Sequence, residues 1–173
     1  MNLPFDPIER AHDNWTHRWG ASPAMAAVTS VMRAQQLLLG ELDGALKPLG
    51  LTFARFEALV LLTFSSSGSL PLGKIGERLM VHPTSVTNTI DRLEGQGLVL
   101  RRPNPSDGRG VLAEITDEGR EVTEEAARVL LDMDFGLGCY SGEELWEIHR
   151  TLTRLRVDFG DFQAPVAEIA EET

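Results

Sequence analysis

The chain has a single cysteine in 173 residues, Cys139, so no disulfide bond can form within it. No run of apolar residues is long enough to span a membrane. The N-terminus has no basic stretch followed by an apolar one, which is the pattern of a signal peptide. We therefore expect a cytoplasmic protein that makes no contact with a membrane. With 42% hydrophobic residues, the chain is long enough to form one folded domain of ordinary size.

The sequence also has no catalytic or phosphate-binding motif. Ser, His and Asp residues occur, but there is no nucleophile elbow, Gly-rich phosphate loop, Cys-x-x-Cys pair or His-Glu-x-x-His run. His12 and His17 would lie about 140° apart around a helix, which is a poor arrangement for sharing a metal ion. We expect neither an enzyme nor a bound cofactor or metal.

Two short helices joined by a tight turn are predicted between Leu72 and Gly95. The first carries Ile75 and Leu79 at the i, i+4 spacing of a buried face. Pro83 suits the first turn of the second helix. A pair of helices in this order is typical of a helix-turn-helix, whose second helix enters the major groove of DNA.

The second helix has a narrow apolar side and a wide polar side. Its apolar residues fall within about 60° of one another on a helical projection; they are Val86, Ile90 and Leu93. The polar side carries small hydroxyl and amide groups, which can approach base edges closely and form hydrogen bonds with them. We expect the residues that read or approach the major groove to be Thr84, Ser85, Thr87 and Asn88, and Arg92 to contact the DNA backbone.

After Gly97 the pattern changes to the alternation of β-strands. Two short strands are predicted over Leu98–Arg102 and Gly110–Ile115, with Pro- and Gly-rich turn residues between them. Arg101 and Arg102 lie on the first of these strands, where they could meet the sugar-phosphate backbone of DNA. The sequence therefore predicts a mainly α-helical fold with a small basic β wing.

The loop of the wing places Arg109 between two glycines at a projecting tip. An Arg in this position can enter a minor groove or contact a phosphate. Asp107 can brace the loop or hold the stem of Arg109. The alternative is an ordinary solvated hairpin that carries surface charge.

These residues resemble the MarR family of bacterial winged helix-turn-helix regulators. The resemblance rests on Ser85–Val99, Arg101-Arg102, Asp107–Gly110 and Ile115–Gly119, and the helix layout extends it from about Ala24 to Phe159. It implies a homodimer with one winged domain per subunit, bound to a pseudo-palindromic DNA operator. Members are most often repressors, released from DNA by a small ligand or by oxidation.

The net charge of −10 at pH 7 is unevenly distributed along the chain. From Lys74 to Arg109 there are six basic and four acidic residues, a net charge of +2, so the other residues carry −12. Such asymmetry would repel DNA from every surface except the basic segment, and DNA binding should fall steeply with salt. An excess of acid also keeps a protein soluble, and both effects can hold together.

The outer segments are predicted to form dimerisation helices. Apolar residues recur at helical spacing from Ala24 to Lys47, after Thr116 as far as Leu137, and after a capping box at Ser141. Thr52 and Thr116 are expected to cap the helices that follow them. The predicted parts are an N-terminal helical extension (1–23), a dimerisation helix (24–50), the winged domain (51–116), C-terminal dimerisation helices (117–162) and a flexible acidic tail (163–173).

The N-terminal extension carries two tryptophans, Trp15 and Trp19, on one side of a predicted helix that begins after Asp6. A helix of this length is marginal alone in water, so it should pack on the body of the protein. The tryptophans either anchor this helix or cover a ligand pocket between the dimer helices and the winged domain. The sequence leaves both roles open.

An added N-terminal helix with a Trp is similar to the urate-responsive branch of the family. Trp15 matches that pattern, but Thr89 stands where that branch would place a recognition-helix Arg. Basic residues that could face an anionic or phenolic effector are Arg10, Arg18, Arg33 and Arg55. Of these, Arg33 and Arg55 join Trp15 and Trp19 as our candidates for an effector pocket.

Three other functions compete with this interpretation. Cys139 could sense oxidation, but no basic residue stands beside it to favour its thiolate, and the peroxide-sensing members carry their reactive Cys near the N-terminus. The winged domain could bind a protein instead of DNA. The chain could also be a ligand-binding protein whose DNA-reading function has been lost.

The position of Arg109 leads to a first prediction. Arg109→Ala should weaken DNA binding by about 1 to 3 kcal/mol, because a buried minor-groove or phosphate contact would be lost. Fluorescence anisotropy with a labelled duplex would measure the change. An unchanged affinity would remove the tip of the wing from the mechanism.

Overall fold

The computed structural model describes residues 3–105, 107 and 110–162. It confirms the mainly helical fold with a small β wing. The helices are α1 (Pro7–Trp19), α2 (Pro23–Leu46), α3 (Phe53–Thr63), α4 (Leu72–Leu79), α5 (Pro83–Gly95), α6 (Asp117–Asp132) and α7 (Gly142–Asp158). The strands are β1 (Ser69–Pro71), β2 (Val99–Pro103) and β3 (Val111–Ile115), and short 3-10 turns occupy Lys47–Leu49 and Asp134–Gly136.

The chain divides into two compact units, Met1–Gly136 and Leu137–Thr173. The first contains α1 to α6 and the sheet, and the second contains α7. Within the described residues, no helix is both long and apolar enough to cross a membrane. The segment 163–173, predicted as a flexible tail, lies outside the described residues.

The core of the first unit is formed where the end of α2 meets α3, α4, α5, α6 and the sheet. Its fully buried large side chains are Leu46, Leu59, Leu62, Ile75, Ile90, Leu93, Val99 and Leu130. Ile75 of the first helix-turn-helix helix is therefore in the core as predicted, whereas Leu79 is only half-buried. This core holds the two helices of the helix-turn-helix against the sheet.

The sheet has three antiparallel strands in the order β1-β3-β2. The two wing strands pair in the expected hairpin, with Val99 opposite Ile115. The predicted two-stranded wing is therefore confirmed, but the sheet has a third strand that was not predicted, because Ser69–Pro71 pairs with the other side of β3. This strand has only three residues, and a proline can be accepted there because the strand lies at the edge of the sheet.

Thr116 joins the sheet to α6, and its predicted capping role is confirmed. Its hydroxyl oxygen accepts a hydrogen bond from the Gly119 amide at 2.9 Å and donates one to the Gly97 carbonyl at 2.9 Å. A Cβ atom on Gly119 would lie 2.2 Å from the Leu98 carbonyl oxygen. Only glycine therefore permits the first turn of α6 to approach the sheet this closely.

The predicted helix from Thr116 to Leu137 is shorter than expected. It ends at Asp132, and Asp134 and Phe135 have φ angles of 48° and 51°. Residues in this left-handed region cannot continue a right-handed helix. Leu137 consequently lies in the segment between α6 and α7.

The capping box at the start of α7 is confirmed. The Ser141 amide donates to the Glu144 carboxylate at 2.8 Å, and the Glu144 amide donates to the Ser141 hydroxyl at 3.4 Å. The hydrogen bond from the Ser141 backbone lowers the pKa of Glu144 below its usual value. None of the side chains of α7 is buried, although several are apolar.

Thr52 occupies the N-cap position of α3, but its side chain makes no capping hydrogen bond. The Phe53 amide instead donates to the carboxylate of Asp43 on α2 at 2.7 Å. The prediction that Thr52 caps α3 with its hydroxyl was therefore wrong. A carboxylate from α2 instead accepts a hydrogen bond from the first amide of the helix, and its negative charge complements the positive end of α3.

This difference can be tested by removing each side chain in turn. Asp43→Ala should lower the free energy of unfolding by about 1 to 2 kcal/mol, because it removes a charged cap and leaves an amide without its partner. Thr52→Ala is the matched control and should cost less than about 0.5 kcal/mol. Urea unfolding at one protein concentration would compare them. Equal losses would contradict the assignment of the cap to Asp43.

Candidate nucleic-acid interface

The turn between α4 and α5 is built from local backbone hydrogen bonds. Met80 ends α4 in a left-handed conformation with a φ of 55°, and the Val81 amide donates to the Gly76 carbonyl at 3.1 Å. A Cβ atom on Gly76 would lie 3.2 Å from a methyl group of Val86. The two helices therefore meet closely at this glycine, which sets the angle at which α5 leaves the turn.

His82 is the N-cap residue of α5, a role that the sequence analysis missed. Its ring nitrogen Nδ1 accepts a hydrogen bond from the Thr84 amide at 3.2 Å. Its carbonyl oxygen accepts from the Ser85 amide at 2.8 Å. Little in the sequence indicates this role, because Ser, Thr, Asp and Asn are the usual N-cap residues.

The two sides of α5 are separated as its sequence pattern predicts. The apolar side is buried in the core, and it consists of Val86, Ile90 and Leu93. All four residues predicted to approach the major groove are exposed, namely Thr84, Ser85, Thr87 and Asn88. The Thr87 hydroxyl donates to the Pro83 carbonyl at 3.1 Å, so its oxygen and methyl group remain available to a ligand.

Arg101 is held by two acids of α5. Its guanidinium lies 2.6 Å from a carboxylate oxygen of Asp91 and 2.5 Å from one of Glu94, and its side chain is only 26% exposed. Burial lowers the pKa of Arg101, but the hydrogen bonds and charges of the two acids outweigh that effect and raise it above its ordinary value. Strand β2 is thus tied to α5 by a charged contact that the sequence analysis did not anticipate.

The other basic residues of this region differ in their surroundings. Lys74 pairs with Glu77 at 2.8 Å, and Arg102 lies 3.4 Å from Glu114. Arg92 is exposed and makes no ion pair with another residue of the described ranges. Arg78 on α4 shares these properties and is a basic group that our predicted set of DNA contacts did not include.

The base of the wing loop is closed by backbone hydrogen bonds. The Asn104 amide donates to the Gly110 carbonyl at 2.9 Å, and the Gly110 amide donates to the Asp107 carbonyl at 2.8 Å. Asp107 is therefore part of the hydrogen bonding of the loop through its backbone. Arg109, predicted at the tip, lies outside the described residues.

The four effector-pocket candidates occupy three places in the first unit. Trp15 and Trp19 lie together on α1 with ring centroids 4.8 Å apart. Arg33 donates to the side chain of Gln36 at 3.3 Å, and Arg55 donates to the Gly50 carbonyl at 3.1 Å. Arg55 thus supports the turn that precedes α3.

A groove of about 540 Å³ lies elsewhere, between α4 and α5. The residues that line it include Leu72, Gly76, Met80, Val86 and Thr87. None of the four effector-pocket candidates lines it.

Comparison of the sequence with known proteins identifies relatives of one kind. A model of the MarR family matches residues 52–111. The chain is 35% identical over 96 residues to the uncharacterized HTH-type transcriptional regulator YhbI of Bacillus subtilis, a match that spans 56% of this chain and 61% of YhbI. It is 32% identical over 110 residues to the organic hydroperoxide resistance transcriptional regulator of the same species, over 64% of this chain and 73% of that protein.

Solved structures show the same similarity. Sco5413, a MarR family transcriptional regulator from Streptomyces coelicolor, is 66% identical with a TM-score of 0.78, and the match covers 83% of this chain and 100% of that one. Sco3205 from the same organism, in complex with DNA, is 25% identical with a TM-score of 0.73, over 87% and 94% of the two chains. CouR from Rhodococcus jostii, bound to p-coumaroyl-CoA, is 27% identical with a TM-score of 0.61, over 72% and 87%.

The two ion pairs of Arg101 lead to a prediction about DNA affinity. Arg101→Met should weaken DNA binding, because Asp91 and Glu94 would then present unpaired negative charge beside the DNA-facing side of α5. Asp91→Asn in the same chain should recover part of the loss. A double-mutant cycle measured by anisotropy should give a coupling free energy of about 0.5 to 1 kcal/mol, the size expected for partly exposed ion pairs.

Arg102→Met is the matched control for this cycle. Its partner is Glu114 rather than an acid of α5, so its effect should simply add to that of Asp91→Asn. If the effects of Arg101→Met and Asp91→Asn on the binding free energy were also additive, Arg101 would not act through Asp91.

Proposed function

Because the chain belongs to the MarR family of transcriptional regulators, we propose that it is a homodimeric repressor that binds a pseudo-palindromic operator and leaves it when a small effector binds. As a member of this family, the chain is a DNA-binding regulator of transcription and not an enzyme. One observation carries the proposal about the operator. The exposed hydroxyl and amide side of α5 stands beside a wing strand that an ion pair holds to the same helix.

The geometry of α5 supports direct reading of base edges. Its exposed side chains are short near the N-terminus, so the backbone of the helix can come close to the floor of a major groove. We propose that Thr84, Ser85, Thr87 and Asn88 read or approach the bases there. The corresponding solved structure of Sco3205 contains DNA, which supports the same use of this fold.

Basic residues around this helix would contact the phosphates. We propose that Arg92 contacts the DNA backbone and that Arg109 enters the minor groove from the wing. Arg102 can exchange its long contact with Glu114 for a phosphate. Arg101 has a mainly positioning role, since its two partners already occupy its guanidinium.

Exposed apolar side chains support the homodimer. Helix α2 has 24 residues, and among the described residues it buries only Leu42 and Leu46. Its apolar residues Val28, Met32 and Leu37 are exposed. On α7, exposed apolar residues include Trp146, Ile148, Leu152 and Leu155, and Phe159, which follows the end of the helix, is 80% exposed. Apolar surface of this extent on two separate helices is typical of an interface. A second copy of the chain would also match the two-fold symmetry of an operator.

The effector is proposed to be a small anionic aromatic molecule. Trp15 and Trp19 offer adjacent aromatic surfaces on α1, and Arg33 and Arg55 offer positive charge. CouR, which has the same fold, was solved with p-coumaroyl-CoA, an anionic compound with an aromatic group. In a bacterial cell such a regulator would act in the cytoplasm, where the DNA is.

Selection of bound duplexes from a random DNA pool tests the proposal, together with the mass of the protein in solution. We expect a two-fold symmetric site, the mass of a dimer and an affinity that falls steeply with salt. Repeating the selection with Asn88→Ala should change the preferred bases, because a base contact has been removed. Arg92→Ala is the control, since loss of a phosphate contact should weaken all sequences alike and reduce the salt slope by about 1.

Two results would contradict the proposal. If no preferred sequence were recovered with or without candidate effectors, a protein-binding winged domain or a ligand-binding protein would be the better interpretation. If Asn88→Ala selected the same sequences as the parent protein, direct reading by Asn88 would be wrong.

A further inference from the structure

The imidazole ring of His82 makes a hydrogen bond with the protein backbone through one of its two nitrogens. Nδ1 accepts the hydrogen bond from the Thr84 amide at 3.2 Å. The residue itself is exposed. Among the described residues, no side chain forms an ion pair with this ring. The ring is therefore held through Nδ1, while Nε2 makes no hydrogen bond with another group of the described residues.

The hydrogen bond to Nδ1 determines which nitrogen carries the proton. A nitrogen that accepts from an amide has no hydrogen of its own, so a neutral His82 must carry its proton on Nε2. The two nitrogens of an imidazole point in widely different directions. Because Nδ1 points at the first turn of α5, the Nε2–H group points away from the helix. The N-cap contact thus fixes a hydrogen-bond donor just beyond the start of α5.

The start of a recognition helix is the part that approaches the bases and the adjacent phosphates. His82 stands directly before the exposed Pro83, Thr84 and Ser85. The positive end of the helix dipole at this place also favours a negatively charged oxygen. A donor fixed here would meet either a phosphate oxygen or an acceptor on a base edge.

We propose that His82 is a further DNA-contacting residue, in which the Thr84 amide holds the ring so that Nε2–H donates a hydrogen bond to an acceptor of the operator. This inference rests on the proposed DNA-binding function and adds a residue to it. His82 has two separable roles, since one nitrogen stabilises the helix start and the other binds DNA.

Substitutions can separate these two roles. His82→Asn keeps an acceptor at the same number of bonds from the backbone as Nδ1, and Asn is among the preferred N-cap residues. It has no donor at the position of Nε2. His82→Ala removes both the acceptor and the donor. His17→Asn on α1 is a matched control for loss of an exposed histidine ring.

The expected results differ for each variant. His82→Asn should keep the melting temperature of the parent protein but lose about tenfold in affinity for the selected operator, the size expected for a hydrogen bond to a charged oxygen. His82→Ala should lose affinity and melt at a lower temperature. His17→Asn should match the parent protein in affinity. Operator affinity of His82→Asn equal to that of the parent would overturn the inference.

Two further measurements sharpen the test. Repeating the DNA selection with His82→Asn distinguishes the acceptors: a uniform loss across sequences indicates a phosphate, and an altered preference at one position indicates a base edge. Nitrogen-15 NMR of the neutral imidazole should show the proton on Nε2, whereas a neutral ring with its proton on Nδ1 would overturn the inference. If the parent protein bound no duplex, the proposed DNA-binding function itself would be overturned. If the parent bound the operator and His82→Asn bound it equally well, only the role of His82 would be overturned.

Discussion

The orientation of α5 is set by the burial of its one narrow apolar side. Val86, Ile90 and Leu93 are buried against the core, and this burial fixes the rotation of the helix about its own axis. The hydroxyl and amide side chains of Thr84, Ser85, Thr87 and Asn88 are therefore exposed to solvent. The close packing at Gly76 and the cap at His82 then set the direction in which α5 leaves the turn. A small rotation of α5 would bury polar groups and expose apolar ones, so the exposed polar surface of α5 is held in place by the same contacts as the core.

Charge acts at two levels in this molecule. Over the whole chain the net charge of −10 opposes association with DNA, and the basic segment that includes α4, α5 and the wing offsets it locally. Within that segment, α5 itself carries two acids, Asp91 and Glu94. Arg101 pairs with both of them, so their repulsion of phosphates is reduced while the wing is held to the helix. One side chain thus contributes to the position of the wing and to the local field.

Helices α2 and α7 both carry several exposed apolar side chains. Each helix is long, begins with a well-formed side-chain cap and buries little of its apolar surface within its own unit. Helices of this kind derive most of their stability from packing on a partner. In the proposed dimer, these helices would supply apolar contacts between the two copies of the chain.

Features that depend on neighbouring residues were predictable from the sequence, and these include the bounds of α5, the separation of its two sides, the wing hairpin and the caps at Thr116 and Ser141. Local hydrogen bonds and the helical period determine all of them. The third strand at Ser69, the cap that Asp43 provides for α3 and the pairing of Arg101 with Asp91 were decided by the tertiary structure. Each of these contacts joins residues that are distant in sequence or lie on different elements. A local sequence pattern does not determine which of several possible partners comes within hydrogen-bonding distance in the folded chain.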